Sequence, residues 1–148
     1  MENRNEKSII IECLIGMAAL TPATLSDYQT CKWYQQAAEV TVEHHHAFEL
    51  YLPEKEYLWA IGTTFCESSG RTDAVSVTGA RGIWQYVRRS ENWLEEKLNE
   101  DFDVTSAYDS TYMTSWLLRN DTNPKRHWYE SKHCWNKNMP KNSYKLHY

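Results

Sequence analysis

From Asp27 onward, apolar residues recur in several segments at spacings of three and four, the period of a helix packed on one side. Cys31, Tyr34, Ala38 and Val42 share one face of a predicted helix running from Asp27 to His46. Pro53 opens the next helix at its first turn, with Glu54 and Glu56 near the positive end of the dipole and Leu58, Ile61 and Phe65 as its buried stripe. That helix ends at Glu67-Ser-Ser-Gly70, and residues 70–82 are small and polar, which predicts an ordered loop or short hairpin. Ser90 is predicted to cap a short helix carrying Trp93, Leu94 and Leu98. Asp103 is predicted to cap a longer one, with Val104, Tyr108, Tyr112 and Trp116 spaced by four. Asn120 to Pro124 is a strong breaker, and a last helix holds Trp128 through Trp135 before Asn138-Met-Pro140 ends it. No internal repeat or linker divides the 148 residues, a length that suits one core. The prediction is a single all-α domain over 26–148.

The first 25 residues read differently. Ser8 to Ala23 is an apolar stretch interrupted by Glu12, too short for a comfortable membrane span. It fits either a signal peptide, with small residues near Pro22-Ala23 for cleavage, or an amphipathic or buried helix at the domain's edge. Export would place Cys31, Cys66 and Cys134 in an oxidising compartment, where one disulfide leaves a thiol over. Retention would leave all four cysteines as buried thiols. No C-x-x-C spacing points to a zinc module.

Seven Trp, ten Tyr and three Phe bury much area and also suit a carbohydrate-binding cleft, so they permit either reading. The net charge of −4 gives no footprint for nucleic acid. It is uneven: residues 1–80 hold five Lys/Arg against eleven Asp/Glu, and residues 81–148 eleven against nine. Lys125, Arg126, Lys132, Lys137, Lys141 and Lys145 make the carboxyl end basic, a solvated face able to meet an anionic cell wall. His44-His45-His46 is not read as a metal site, because successive helical side chains diverge by about 100°; surface exposure is expected, and no metal or cofactor is called for.

The candidate for chemistry is Glu67. A carboxyl half-embedded in apolar surroundings at a helix end has its charged form desolvated, so it can hold a proton near neutrality and suits a general acid; the alternative reading is a solvated helix-end glutamate. Asp73, six residues on, is either a second carboxylate of the kind inverting hydrolases use or a loop-forming side chain.

The residues after Glu67 add to this. Glu67, Ser68, Ala74, Val75, Ser76, Gly79, Ala80, Gly82 and Gln85 fall without a gap on E-S-x-F-x-P-x-A-V-S-x-x-G-A-x-G-L-x-Q, nine matches in nineteen positions. This segment resembles the signature of the lytic transglycosylases of the soluble-lytic-transglycosylase, goose-lysozyme-like superfamily. Gly70 stands for the family's aromatic, Thr72 for its proline and Ile83 for its leucine. Downstream, Trp128, Trp135 and Asn136 resemble W-x-x-A-L-A-A-Y-N-A-G, with Trp135 where the family has Tyr. Met139 to Tyr144 resembles its late L-P-x-E-T-x-x-Y segment.

The resemblance implies a lysozyme-like helical domain with a sugar-binding groove for peptidoglycan strands. Glu67 would protonate the oxygen between N-acetylmuramic acid and N-acetylglucosamine, then take a proton from the muramyl 6-hydroxyl as a 1,6-anhydro ring closes. Ser76 and Gln85 would hydrogen-bond the sugar, Trp84 and Trp135 would lie against sugar rings, and Asn136 and Tyr144 would complete the binding set. Gly79 and Gly82 would let the loop backbone approach the glycan. The Tyr-to-Trp change at 135 exchanges a donor-acceptor hydroxyl for an N–H that only donates. The implied setting is the periplasm or cell envelope, or a secreted or virion-borne enzyme with phage-virion or secretion-system partners. The alternatives are a goose-type lysozyme-like hydrolase and a catalytically weak glycan-binding domain.

Overall fold

The computed structural model describes residues 25–135, with side chains from Lys32 onward. Asn136, Tyr144 and the amino-terminal 24 residues lie outside them, and with them the two calls on sugar binding and most of the signal-peptide segment. The described residues are largely helical: α1 Leu25–Val40, α2 His45–Tyr51, α3 Tyr57–Ser68, α4 Arg88–Leu98, α5 Ala107–Asn120 and α6 Lys132–Trp135. Three 3-10 segments join them, η1 Val42–His44, η2 Glu54–Glu56 and η3 Pro124–Ser131. The only strand pairing among the described residues is in isolated antiparallel bridges, Val75 to Arg81 and Arg81 to Tyr86. The all-α prediction stands. No helix among the described residues is long and apolar enough to cross a membrane.

Helix α3 is the axis of the molecule. Every residue from Tyr57 to Thr64 is buried, as expected of a helix apolar on all sides, and α1, α2, η3 and α6 pack around it. Pro53 is extended and precedes the η2 turn, so α3 begins at Tyr57, later than the sequence predicts. Around α3 the indoles of Trp59, Trp84, Trp128 and Trp135 are closed from solvent. Trp59 lies with its ring centroid 5.4 Å from Trp84, 5.3 Å from Trp128 and 6.4 Å from Trp135. Such tilted and edge-on pairs add about 0.5–1.5 kcal/mol each beyond area burial. The aromatic richness is therefore largely core. Beside this cluster the buried ion pair of Lys125 and Glu56 (2.8 Å) clamps η3 to η2, with the ammonium 4.9 Å above the Trp59 ring.

The predicted helix of Asp27–His46 is broken at Thr41. Its hydroxyl donates to the Ala37 carbonyl oxygen (2.8 Å) and accepts from His45 Nε2 (2.9 Å), a local bond that competes with helix continuation. His44 and His45 are consequently buried, not exposed as predicted, and His44 Nε2 donates to the Gly70 carbonyl oxygen at 2.6 Å. His46 alone of the three is exposed.

Two further caps differ from prediction. Helix α4 starts at Arg88 after Val87, so Ser90 lies inside it. Ser106, whose hydroxyl accepts from Asp109 N–H (3.2 Å), caps α5; Asp103 instead takes the Thr105 N–H at 2.9 Å. The buried residues of α5 are Ser110, Thr111, Met113, Thr114, Ser115 and Leu117, while Tyr108 is exposed and Tyr112 and Trp116 are half-buried. Its hydroxyls have partners in the core: Trp84 Nε1 donates to Thr111 (3.0 Å) and Tyr86 Oη meets Thr114 Oγ1 (2.8 Å).

Candidate active site

Glu67 is the penultimate residue of α3. The helix stops there because Ser69 and Gly70 adopt left-handed conformations, φ 53° and 69°, and return their amides to the Phe65 and Thr64 carbonyl oxygens at 2.9 and 3.3 Å. The apolar body of α3 lies behind the carboxyl, which is half-buried. Burial pushes it above its ordinary value of 4.5, a hydrogen bond with the Ser131 side chain opposes that rise, and the negative charge of Glu130 adds to it.

A disulfide joins Cys66 to Cys134, across 68 residues of sequence. It ties the end of α3 to α6, next to both Glu67 and the Ser131–Trp135 segment. Those two cysteines are therefore not the buried thiols that retention would leave, and Cys13 and the Cys31 side chain lie outside the described residues.

The loop after Glu67 is held by the residues of the motif. Ser68 Oγ lies 2.9 Å from the carbonyl oxygens of Thr64 and Ile83, joining helix end to loop. Gln85 Nε2 donates to the carbonyl oxygens of Ala74 (3.1 Å) and Gly82 (2.8 Å), and Gly82 N–H donates to Ala74 (3.0 Å). Ser76 Oγ accepts from Ala80 N–H at 3.0 Å and pairs with Thr78 Oγ1. At the tip of this turn Val77 is fully exposed. Arg81 then reaches buried Glu91 at 2.8 Å and fastens the loop to α4.

The predicted site residues thus separate. Glu67 is half-buried at the end of its helix. Ser76 and Gln85 lie on the loop, with their polar groups engaged in its internal bonds. Trp84 and Trp135 need correction: at 0% and 1% exposure neither offers a face to a sugar ring. Trp84 is sealed among Trp59, Trp128 and Phe48, and Trp135 Nε1 donates to Ser131 Oγ at 3.1 Å. Gly82 also differs, since it approaches the Val104 carbonyl of its own chain rather than a ligand. Trp84→Phe, which loses the Thr111 bond and some volume, is expected to lower stability by about 1–2 kcal/mol. Thermal unfolding would show it, and an unaltered KM on any glycan substrate would accompany it.

Sequence reading missed Ser131 and Glu130 as neighbours of Glu67. The available signal was indirect: Ser131 lies four residues before Trp135 and three before Cys134, a helical spacing whose meaning depends on which cysteine Cys134 meets. Compared with protein-family models, curated proteins and solved structures, the chain matches none.

Proposed function

We propose that the protein is a peptidoglycan lytic transglycosylase in which Glu67 is acid and then base. The observation that carries this is one half-buried carboxyl, raised by desolvation, at the end of a buried helix and at the start of a loop bonded through Ser68, Ala74, Gly82 and Gln85. Neutral Glu67 gives its proton to the glycosidic oxygen as the bond from muramyl C1 breaks. The resulting carboxylate then takes the proton of the muramyl 6-hydroxyl as that oxygen bonds C1, so the ring closes, Glu67 is neutral again and no water is consumed. The enzyme would work at the cell envelope, with glycan strands as substrate and no cofactor.

A second reading, hydrolysis, is favoured by Glu130. Its exposed carboxylate acts on Glu67, and inverting glycosidases use a second carboxylate to activate water. Mass spectrometry of products from purified sacculi separates the two: anhydro-muramyl ends support the transglycosylase, reducing ends the hydrolase. Sacculi that bind the protein without releasing anything soluble would overturn both in favour of a glycan-binding domain.

Glu130→Gln gives a further check. Under the transglycosylase reading activity survives, and its alkaline limb moves to lower pH because a neighbouring negative charge no longer disfavours the charged form of Glu67. A pH–rate profile reads that shift, whereas loss of activity in this variant would favour the hydrolase.

A further inference from the structure

The Cys66–Cys134 bond joins the last turn of α3 to α6, with Cα atoms 6.1 Å apart. Cys66 immediately precedes Glu67, and both cysteines are half-buried rather than sealed in the core. Disulfides that solvent can reach are the ones small thiols reduce most readily. What this bond holds in place is short. Helix α6 has four residues, too few to be stable as a helix alone. It carries Trp135, 1% exposed, whose Cβ stands 3.4 Å from where a Cβ on Gly62 would lie. The Trp135 ring meets Trp59 edge-on, and its indole N–H donates to Ser131 Oγ at 3.1 Å.

We propose that Cys66–Cys134 is a redox latch: oxidised, it seats α6 and Trp135 against α3; reduced, it lets them leave and the Glu67 site loses activity. The reductant is a small thiol. Its thiolate attacks one sulfur, the S–S bond breaks, and the other cysteine leaves as a thiolate that takes a proton. A second thiolate attacks the reagent's sulfur in the mixed disulfide and frees the first cysteine, also protonated. The protein gains two electrons and two protons, and two small thiols become one disulfide. Glu67 responds because it follows the released residue directly. The end of α3 then keeps the Ser68 bond to the Ile83 carbonyl oxygen but loses its covalent tie. A misplacement of about 1 Å at a reacting group can cost about 10²-fold in rate. The direction suits an enzyme that cuts the wall: thiols keep it open in a reducing cytosol, and an oxidising envelope closes it. The loss of activity rests on the reading of Glu67 as catalytic; the release of α6 does not.

The test treats the intact oxidised protein with excess dithiothreitol, and peptide mass spectrometry reads the gain of one hydrogen at each of Cys66 and Cys134. Indole N–H signals are then followed by NMR. The Trp135 signal, assigned by its loss in Trp135→Phe, is expected to exchange with solvent about 10²-fold faster once the bond is open. The indoles of Trp84 and Trp128, bonded to Thr111 and to the Trp84 carbonyl oxygen, are expected to keep their protection. Release of muropeptides from sacculi is expected to fall about 10²-fold and to return on reoxidation with glutathione disulfide. The double variant Cys66→Ala, Cys134→Ala is expected to stay at the reduced level with or without thiol; should it fail to fold, the wild-type cycle decides alone. A bond that resists thiol until the whole chain unfolds overturns the proposal. So does a Trp135 indole still protected in the dithiol form, or protection lost at all three indoles together, which marks a general staple. Sacculus cleavage that is present and equal in both forms also overturns it. If Trp135 is released reversibly but the oxidised protein cleaves no sacculi, the latch stands in the fold and the transglycosylase reading falls.

Discussion

Glu67→Gln is expected to abolish the release of soluble muropeptides from sacculi, with kcat lowered about 10²- to 10⁴-fold, the range that general acid–base catalysis contributes. Glutamine keeps the size of the side chain and an oxygen that accepts hydrogen bonds, while the transferable proton is lost. The same substitution is expected to raise thermal stability at neutral pH. The reasoning is one of linkage: a carboxyl raised in the folded protein binds its proton more tightly there than in the unfolded chain. Its favourable contribution is complete below the ordinary value of 4.5 and is lost as pH climbs through the raised folded value. Wild type should therefore melt below Glu67→Gln at pH 7, and the gap should close as pH falls under that ordinary value. Circular-dichroism melts of both proteins read this directly. Equal activity in the two would end the proposal that Glu67 is the acid.

The second large effect is structural. Gly82 has φ 80°, and a Cβ built there collides with the Val104 carbonyl oxygen and lies 3.0 Å from its carbon. Both are backbone atoms that cannot step aside as a side chain would. Left-handed strain costs an alanine about 1–2 kcal/mol, and overpacking commonly adds about 1–3 kcal/mol. Gly82→Ala is thus expected to destabilise by about 3 kcal/mol or more, lowering the melting temperature by roughly 6–12 °C for a chain of this size. Gly79 is the control: its φ is 84°, but nothing lies within 4 Å of a Cβ there. Gly79→Ala should show the strain without the collision, a smaller loss in the same melt.

The helices were legible because their apolar spacing and breakers are local properties. The Asn120–Pro124 stop and the end of α3 at Ser68 both followed from residues that cannot continue a helix. The buried face of α5 was not legible. Its serine and threonine hydroxyls look solvated until Trp84 and Tyr86 arrive as partners from another part of the chain. His44 shows the same limit, since its burial depends on a carbonyl 26 residues away.

The candidate site was half legible. The half-burial of Glu67 at a helix end could be read from the apolar run before it and the small-residue loop after it, because both lie beside it in sequence. Ser131 could not, for its place depends on a disulfide whose pairing four cysteines leave open. Trp84 and Trp135 show that a matched register gives an address along the chain without saying which way a side chain turns. Both were read as platforms for sugar and both are core.

The Cys66–Cys134 bond encloses α4, α5 and the whole exposed turn at Val77 within one covalent ring. A protease that nicks that turn would open the ring without freeing either piece. The cut protein would migrate as a single species until reductant is added, and Glu67, next to one anchored sulfur, and Ser131, three residues from the other, would stay joined across the break.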